Sequence, residues 1–321
     1  MLAATLVTSF RRQPHDRPMQ VFNFGSINID LVYRVPHLVR AGETLLSRSL
    51  ETVLGGKGAN QSVALARADA RVCHIGKLGE ADEWARTQMM EAGVDVSQVS
   101  ISEGHSGHAI IQVDDEAENS IILHAGANHS FTENELVKAL ETAQPGDWLL
   151  MQNECNALEH AFALAARLQL SIAFNPAPMT PELAMLPLEQ CAVLIVNETE
   201  AAALAGNDEP EAAIVILGRR YPDTRLVLTL GSRGAMFQRG QQQHRTGAVK
   251  VAAIDTTGAG DTFVGYYLAS LIQGLDDESA VQRACAAAAL SVTRSGATPS
   301  IPTNAELDMF LKPSGSPTAG K

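Results

Sequence analysis

Asp255-Thr-Thr-Gly-Ala-Gly-Asp261 carries the strongest chemical signal in this 321-residue chain. Gly258, Ala259 and Gly260 are small, so backbone N–H groups there can approach a ligand closely, and a run with helical spacing follows them. A helix N-terminus offers unpaired N–H groups and a favourable dipole, which together hold an anion. A carboxylate in that nest, Asp261, can stay ionised and accept a proton from a hydroxyl. An anion hole beside a general base suits phosphoryl transfer to an alcohol. The plainer alternative is a capping Asp after a glycine-rich turn.

A second glycine turn, Leu54-Gly-Gly-Lys-Gly-Ala-Asn60, also precedes a helical run. It is not a nucleotide-binding Walker A loop. Its first glycine stands at the wrong distance, and Gly58 occupies the place of the Ser or Thr that should follow the Lys. Backbone amides with Lys57 and Asn60 suit a polyhydroxy ligand; a tight turn with an exposed Lys is the alternative. In Asn28-Ile-Asp30, strand alternation puts Asn28 and Asp30 on one face, at the sheet edge where open α/β sheets bind ligands. An Asp/Asn pair there suits vicinal hydroxyls, although alone it also reads as turn chemistry. Asn175-Pro-Ala-Pro178, Asn197-Glu-Thr-Glu200 and Thr229-Leu-Gly-Ser-Arg-Gly234 are further polar elbows after strands. Each singly is a cap or a turn; their recurrence at successive strand ends argues for a site.

Other chemistries find less support. His105 and His108 are three apart in a strand or loop, where they do not converge on one metal, and no third ligand lies nearby in sequence. There is no G-x-S-x-G elbow. Cys73, Cys155, Cys191 and Cys285 form no C-x-x-C pair and read as buried thiols of a reducing, cytoplasmic compartment. A net charge of −12 repels nucleic-acid backbones. No apolar run approaches the ~18 residues of a membrane span. A composition of 45% hydrophobic and 19% charged residues supports a sizeable core.

The elements that must position these residues alternate along the chain. Strands are expected at 21–25, 72–75, 148–152, 171–174, 193–196 and 226–230. Helices are expected at 60–68, 80–92, 133–142, 157–168, 198–205, 260–273 and 279–293. That alternation implies βαβ units, a parallel sheet and right-handed crossovers. Residues 29–53 and 107–124 alternate like strands without helices, the second as a hairpin around an acidic turn. Together they read as one small β-lid, whose apolar face and strand edges are best covered by the lid of a second copy. Residues 1–18 read as an extension, because Arg11 and Arg12 follow the apolar run instead of preceding it as in a secretory signal. Residues 313–321 read as a Pro/Gly/Ser-rich tail.

Taken together, these stretches resemble the PfkB family of carbohydrate kinases over residues 19–311. Gly55-Gly-Lys-Gly-Ala-Asn60 and Asp255-Thr-Thr-Gly-Ala-Gly-Asp261 are specific in combination. His124-Ala-Gly-Ala-Asn128 and Val292-Thr-Arg-Ser-Gly-Ala-Thr-Pro-Ser300 add detail, and Glu154 matches a sugar-contacting Glu. The resemblance implies an α/β fold, a three-layer α/β/α sandwich with a small β-sheet lid, spanning 19–312. It implies an ATP-dependent sugar kinase acting on the 5-hydroxyl of D-ribose, with another furanose, deoxyribose or a nucleoside as the alternative acceptor. A silent sugar-binding regulator is the alternative of another class; the intact Asp261 and glycines argue against it.

The resemblance further implies roles for single residues. Asp261 is the base, with Gly258, Ala259 and Gly260 as the anion hole. Asn28, Ile29, Asp30, Gly56, Lys57, Gly58, Ala59, Asn60 and Glu154 surround the sugar. Asn197, Glu200, Thr229, Leu230, Gly231, Ser232, Arg233, Gly234, Gly260, Asp261 and Cys285 surround ATP, with Glu200 helping to place Mg2+ through water. Asp255, Thr257, Ser291, Arg294, Gly296 and Ser300 match a K+ site that shapes the anion hole. A homodimer through the lid is implied as well. The chain departs from the family pattern in three places. Asn153 stands for a Leu, Cys285 stands where Asn or His is common near adenine, and Ser291 replaces a common Ala.

Overall fold

The computed structural model describes residues 17–116 and 118–312. The expected extension lies outside the described residues as far as residue 16, and the expected tail 313–321 lies wholly outside them. In chain order the elements are β1 (Val21–Phe24), β2 (Asn28–Arg34), β3 (Ser49–Gly55), α1 (Lys57–Arg67), β4 (Val72–Gly79), α2 (Glu83–Glu91), β5 (Asp95–Ser102), β6 (Gly107–Val113) and β7 (Asn119–His124). There follow α3 (Glu133–Ala139), β8 (Trp148–Gln152), α4 (Leu158–Leu168), β9 (Ser171–Asn175), β10 (Cys191–Asn197), α5 (Glu198–Ala205), α6 (Pro210–Arg220) and β11 (Arg225–Thr229). The chain ends with β12 (Ala235–Arg239), β13 (Gln242–Thr246), α7 (Ala259–Ile272), α8 (Asp277–Ser291) and α9 (Asn304–Leu311).

Nine strands form one sheet in the order β13-β12-β11-β10-β9-β8-β1-β4-β5, parallel except for the antiparallel β12 and β13 at one edge. Its inner strands are buried on both faces, and alternate residues feed two separate cores. Val21, Leu150, Ala173, Val193, Ile195 and Val227 pack with α1, α2, α7 and α8. Phe22, Phe24, Leu149, Met151, Phe174, Leu194 and Leu228 pack with α3 to α6 on the other side. The result is the three-layer sandwich. Each large apolar side chain fully buried in it contributes roughly 1.5–3 kcal/mol. No helix among the described residues is long and apolar enough to cross a membrane.

Four strands form a second sheet, β3-β2-β6-β7, drawn from both segments expected to alternate without helices. β2 pairs antiparallel with β3 and parallel with β6, so Asn28 stands between Gly55 and Gly107. On its outer strand Ile121, Ile122 and Leu123 are all more than half exposed.

Several elements escaped the sequence reading: β5, α6, the β12–β13 hairpin and α9. β5 is an edge strand with alternate residues in solvent, and β13 is rich in Gln. Neither carries the apolar run that marks an inner strand. The expected helix 80–92 is split, a 3-10 turn over Glu80–Asp82 leading into α2.

Candidate active site

From β1 the chain passes to β4 on one side and later returns to β8 on the other. Strand order therefore reverses beside β1, and a crevice opens at the carboxyl ends of the strands. Ser26 and Asn28 follow β1, Glu154 follows β8, and Asn175, Asn197 and Thr229 end β9, β10 and β11. The N-termini of α1 and α7 enter the same crevice. Gly56 caps α1 at φ +90°, a left-handed conformation that glycine adopts without strain, and its Cα lies against the Asn28 backbone.

At one end of the crevice the charged groups crowd. The Lys57 ammonium lies 3.4 Å from Glu154 Oε1, and the Lys57 N–H donates to Glu154 Oε2 at 3.0 Å. Ser26 Oγ donates to the same carboxylate and accepts from the Gly58 N–H at 3.2 Å. The Asp30 carboxylate lies directly over Gly55, where any Cβ would collide with it. Burial, and then the Glu154 charge, pushes the Asp30 pKa up to about 6 against the pull of Lys57. Burial alone would lower the Lys57 pKa, but Glu154 and Asp261 outweigh it and the net shift is upward. Asp261, in the first turn of α7, accepts from Asn60 Nδ2 at 3.0 Å and from Gln61 Nε2 at 2.9 Å. Burial raises the Asp261 pKa, opposed by Lys57 and by these two amides.

Asp30, Lys57, Asn60, Glu154 and Asp261 thus converge. Two other expected sugar contacts do not present side chains to the crevice, and a third is half engaged. Ile29 and Ala59 are core residues, and the buried Asn28 gives its Oδ1 to Asn128 Nδ2 at 2.7 Å. Gly58 is buried against the Gly25 and Ser26 backbone.

The other end of the crevice is a cavity of about 720 Å³. Of the residues expected there, Asn197, Thr229, Gly231, Ser232, Gly234, Gly260 and Cys285 line it. Leu230 is instead a core residue, and Arg233 is turned to an ion pair with Glu198. Glu200 is buried in the capping box of α5, its Oε2 accepting the Asn197 N–H and its Oε1 accepting Asn197 Nδ2, both at 2.9 Å. Burial raises its pKa. Most of the wall is apolar: Val249, Val251, Ala253, Phe263, Ala288, Ala289 and Val292. Burial pushes the Cys285 thiol up to about 11, so it is neutral at pH 7.

Beside the expected anion hole, two loops are tied by Asp255. Its carboxylate accepts the Thr257 N–H at 2.9 Å and the Gly296 N–H at 2.8 Å. Partial burial would raise its pKa, but these bonds prevail and hold it low. The Arg294 guanidinium points to Glu306 at 2.8 Å, whereas its N–H meets the Ser291 carbonyl at 3.0 Å. The Ser291 and Ser300 hydroxyls are both spent on backbone carbonyls, of Ala288 and Ala297. What the loops offer a cation is one ionised carboxylate and backbone oxygens, a donor set that fits a large hard monovalent ion.

The model of the pfkB family of carbohydrate kinases matches residues 19–304. The chain belongs to that family. The ribokinase of Haemophilus influenzae is 36% identical over 302 residues, covering 90% of this chain and 97% of that protein. The deoxyribokinase of Salmonella typhi is 30% identical over 304 residues, covering 91% and 99%. The structure of Arabidopsis thaliana ribokinase complexed with ribose and ATP superimposes with a TM-score of 0.80 at 27% identity, covering 93% of this chain and all of that one. As a PfkB carbohydrate kinase, this chain is an ATP-dependent sugar kinase.

Sequence reasoning gave no role to Asn23, Ser26, Gln61 and Gln152, which form a polar layer behind the site with Asn175, singled out as a polar elbow, and Thr298, in the 292–300 stretch. One signal was available. Asn23 and Gln152 interrupt the apolar runs of inner strands, and Gln61 stands on a face of α1 otherwise made of small apolar residues. The apolar wall at 248–253 carries no signal, since it forms no regular element.

Proposed function

We propose that this protein transfers the γ-phosphoryl group of ATP to the 5-hydroxyl of D-ribose, giving ribose 5-phosphate and ADP. The observation that carries this reading is the place of Asp261. It stands at the N-terminus of α7, between the 720 Å³ cavity and the cluster of Asp30, Lys57, Asn60 and Glu154. In this reading Asp261 takes the proton from the sugar hydroxyl as the oxygen attacks phosphorus. The N–H groups of Gly258 and Gly260 at the start of α7, with that of Ala259 once it leaves the Thr256 carbonyl it meets at 3.2 Å, stabilise the charge that gathers on the transferring group. Asp30, an ionised acceptor with two oxygens, suits the vicinal hydroxyls of ribose. Lys57, Asn60 and Glu154 fix the ring.

The nucleotide takes the larger cavity, its base against the apolar wall and its phosphates toward Gly260. Mg2+ would supply charge neutralisation on the phosphates, and Glu200, buried beside the cavity in the α5 capping box, is the carboxylate proposed to act on it through water. The loops around Asp255 and Gly296 would hold K+ through the Asp255 carboxylate and backbone oxygens, and the ion would help set the shape of the anion hole. The exposed Ile121, Ile122 and Leu123 of the second sheet pair with a second copy, which makes the enzyme a homodimer and the sheet its lid. We place it in the cytoplasm, on its four buried, unpaired thiols.

Coupled ADP release tests this with ribose, 2-deoxyribose, other furanoses and nucleosides, in potassium and in sodium buffer. Turnover highest with ribose and dependent on potassium is expected. Equal turnover of 2-deoxyribose removes the role given to Asp30, and tight ribose binding without turnover defeats the kinase reading.

A further inference from the structure

A buried chain of amides lies beneath Asp261, and its polarity is fixed from both ends. Asn23 Nδ2 donates to the Gly58 carbonyl at 2.8 Å. A backbone carbonyl only accepts, so Asn23 has one orientation and its Oδ1 must itself accept. It accepts from Gln152 Nε2 at 3.0 Å, and the same Nε2 reaches Gln61 Oε1 at 2.7 Å. From the other side, Asn175 Nδ2 donates to the Ile195 carbonyl at 3.0 Å, so Asn175 Oδ1 accepts, from Gln61 Nε2 at 3.1 Å. Two backbone carbonyls thereby dictate that the Gln61 oxygen faces Gln152 and that its amino group faces Asp261. Asn23, Gln61 and Gln152 are fully buried. Gln152 Oε1 has no partner among the described residues. The network leaves an acceptor unpaired while both its N–H groups stay directed, which a merely cohesive core has no reason to do.

We propose that Gln61 and Gln152 are positioning residues for the base. Gln61 holds one Asp261 oxygen with a donor that cannot flip, and Gln152 locks Gln61 from behind. Asn60, whose Oδ1 accepts from Thr298 Oγ1 at 2.8 Å, holds the other oxygen. The carboxylate is kept as an acceptor in one orientation, so a substrate hydroxyl finds its remaining lone pairs already aimed. This inference rests on the reading of Asp261 as the base.

The test compares Gln61→Met, Gln61→Glu and Gln152→Met with the full-length parent. In Gln61→Met, kcat for ribose is expected to fall about tenfold or more while ribose KM stays within about threefold. Loss of the donor also moves the acid limb of kcat to higher pH. The other charges facing Asp261, from Lys57, Glu154, Asp30 and Glu200, are unchanged in these variants. Gln152→Met, which does not touch Asp261, is expected to show the same kcat-only loss at about threefold. Gln61→Glu keeps the shape but sets a second carboxyl against Asp261, so even where the Met variant folds poorly it moves the acid limb of kcat further to higher pH. The inference is overturned by a parental kcat in well-folded Gln61→Met. It is equally overturned by kcat, KM and melting temperature falling in parallel, since that marks a structural role. A carbon-13 carboxyl titration of Asp261, parent against Gln61→Met, reads the same effect without substrate. Absence of turnover in the parent would therefore defeat the proposed function alone, while an Asp261 titration unmoved in the variant would defeat this inference alone.

Discussion

At the end of the crevice proposed for the sugar, Asp30, Lys57 and Asp261 are packed so closely around Glu154 that its charge acts on all three, with amides filling the spaces between them. The end proposed for the nucleotide has an apolar wall with polar residues along one side, and the groups proposed to meet phosphate there are backbone N–H. One end recognises by charge and fixed hydrogen bonds, the other by shape. A polar site penalises a wrong ligand by leaving buried groups unpaired, whereas an apolar slot discriminates by about 1–3 kcal/mol per methylene. Substitutions at the two ends should therefore differ in size and in the constant they move.

The largest effect is expected at the junction. Asp261→Asn keeps the hydrogen-bonding shape but removes the base, so kcat should fall about 10²- to 10⁴-fold while ribose affinity, read by calorimetry, stays within about threefold. Near-parental turnover would remove the base assignment. Next comes Glu154→Gln, which leaves the Lys57 ammonium without its partner carboxylate. Ribose KM should rise about 10- to 100-fold, the worth of a charge-assisted bond, with ATP KM unmoved. A matching rise in ATP KM would show that the two ends are not independent.

Asp30 sharpens the contrast through stability. Its pKa in the fold, about 6, lies above the ordinary carboxylate value, so the folded state holds the proton more tightly than the unfolded one. The stability this contributes is full below pH 4 and is lost as pH rises through 6. At pH 7.5 the ionised carboxylate is a strain on the ligand-free protein. Asp30→Asn should raise the melting temperature there by a few degrees, roughly 1–3 kcal/mol, and the gain should vanish toward pH 4. An equal gain at both pH values would show that charge is not its cause. In the parent, kcat/KM should fall on the acid side through about pH 6, as Asp30 takes up a proton. The smallest effect belongs to Cys285→Ala, where a buried group the size of a methylene is worth about 0.8 kcal/mol, or about fourfold in ATP KM. A change beyond tenfold would mean that the thiol contacts the base specifically.

What could be read in advance follows the same division. Asn28-Ile-Asp30, the turn at 55–60 and the stretch 255–261 were legible because the chemistry of each lies in contiguous residues. Their backbone conformation follows from local glycines and helix starts. The sandwich was legible because apolar runs alternate with helical spacing. Gln61 and Gln152 were not, since their partners lie as far as 200 residues away and a single Gln in an apolar run has no local signature. Nor was the tie between Asn28 and Asn128, 100 residues apart, which braces through its Oδ1 a residue expected to meet sugar. The apolar wall at 248–253 was hidden for the opposite reason: irregular segments carry no period.

The two-sheet construction has a mechanical consequence. Asp30 rides on β2 in the smaller sheet, whereas Lys57, Asn60 and Asp261 ride on helices packed against the larger one. A sugar gripped from both sides acts as a rivet between two plates that share few other polar fastenings. Amide exchange along β2 and β3 should slow when it is seated, and the edge toward Ile121–Leu123 should stiffen with them. The acceptor is then a temporary part of the scaffold, and each phosphorylation ends by loosening the frame that held it.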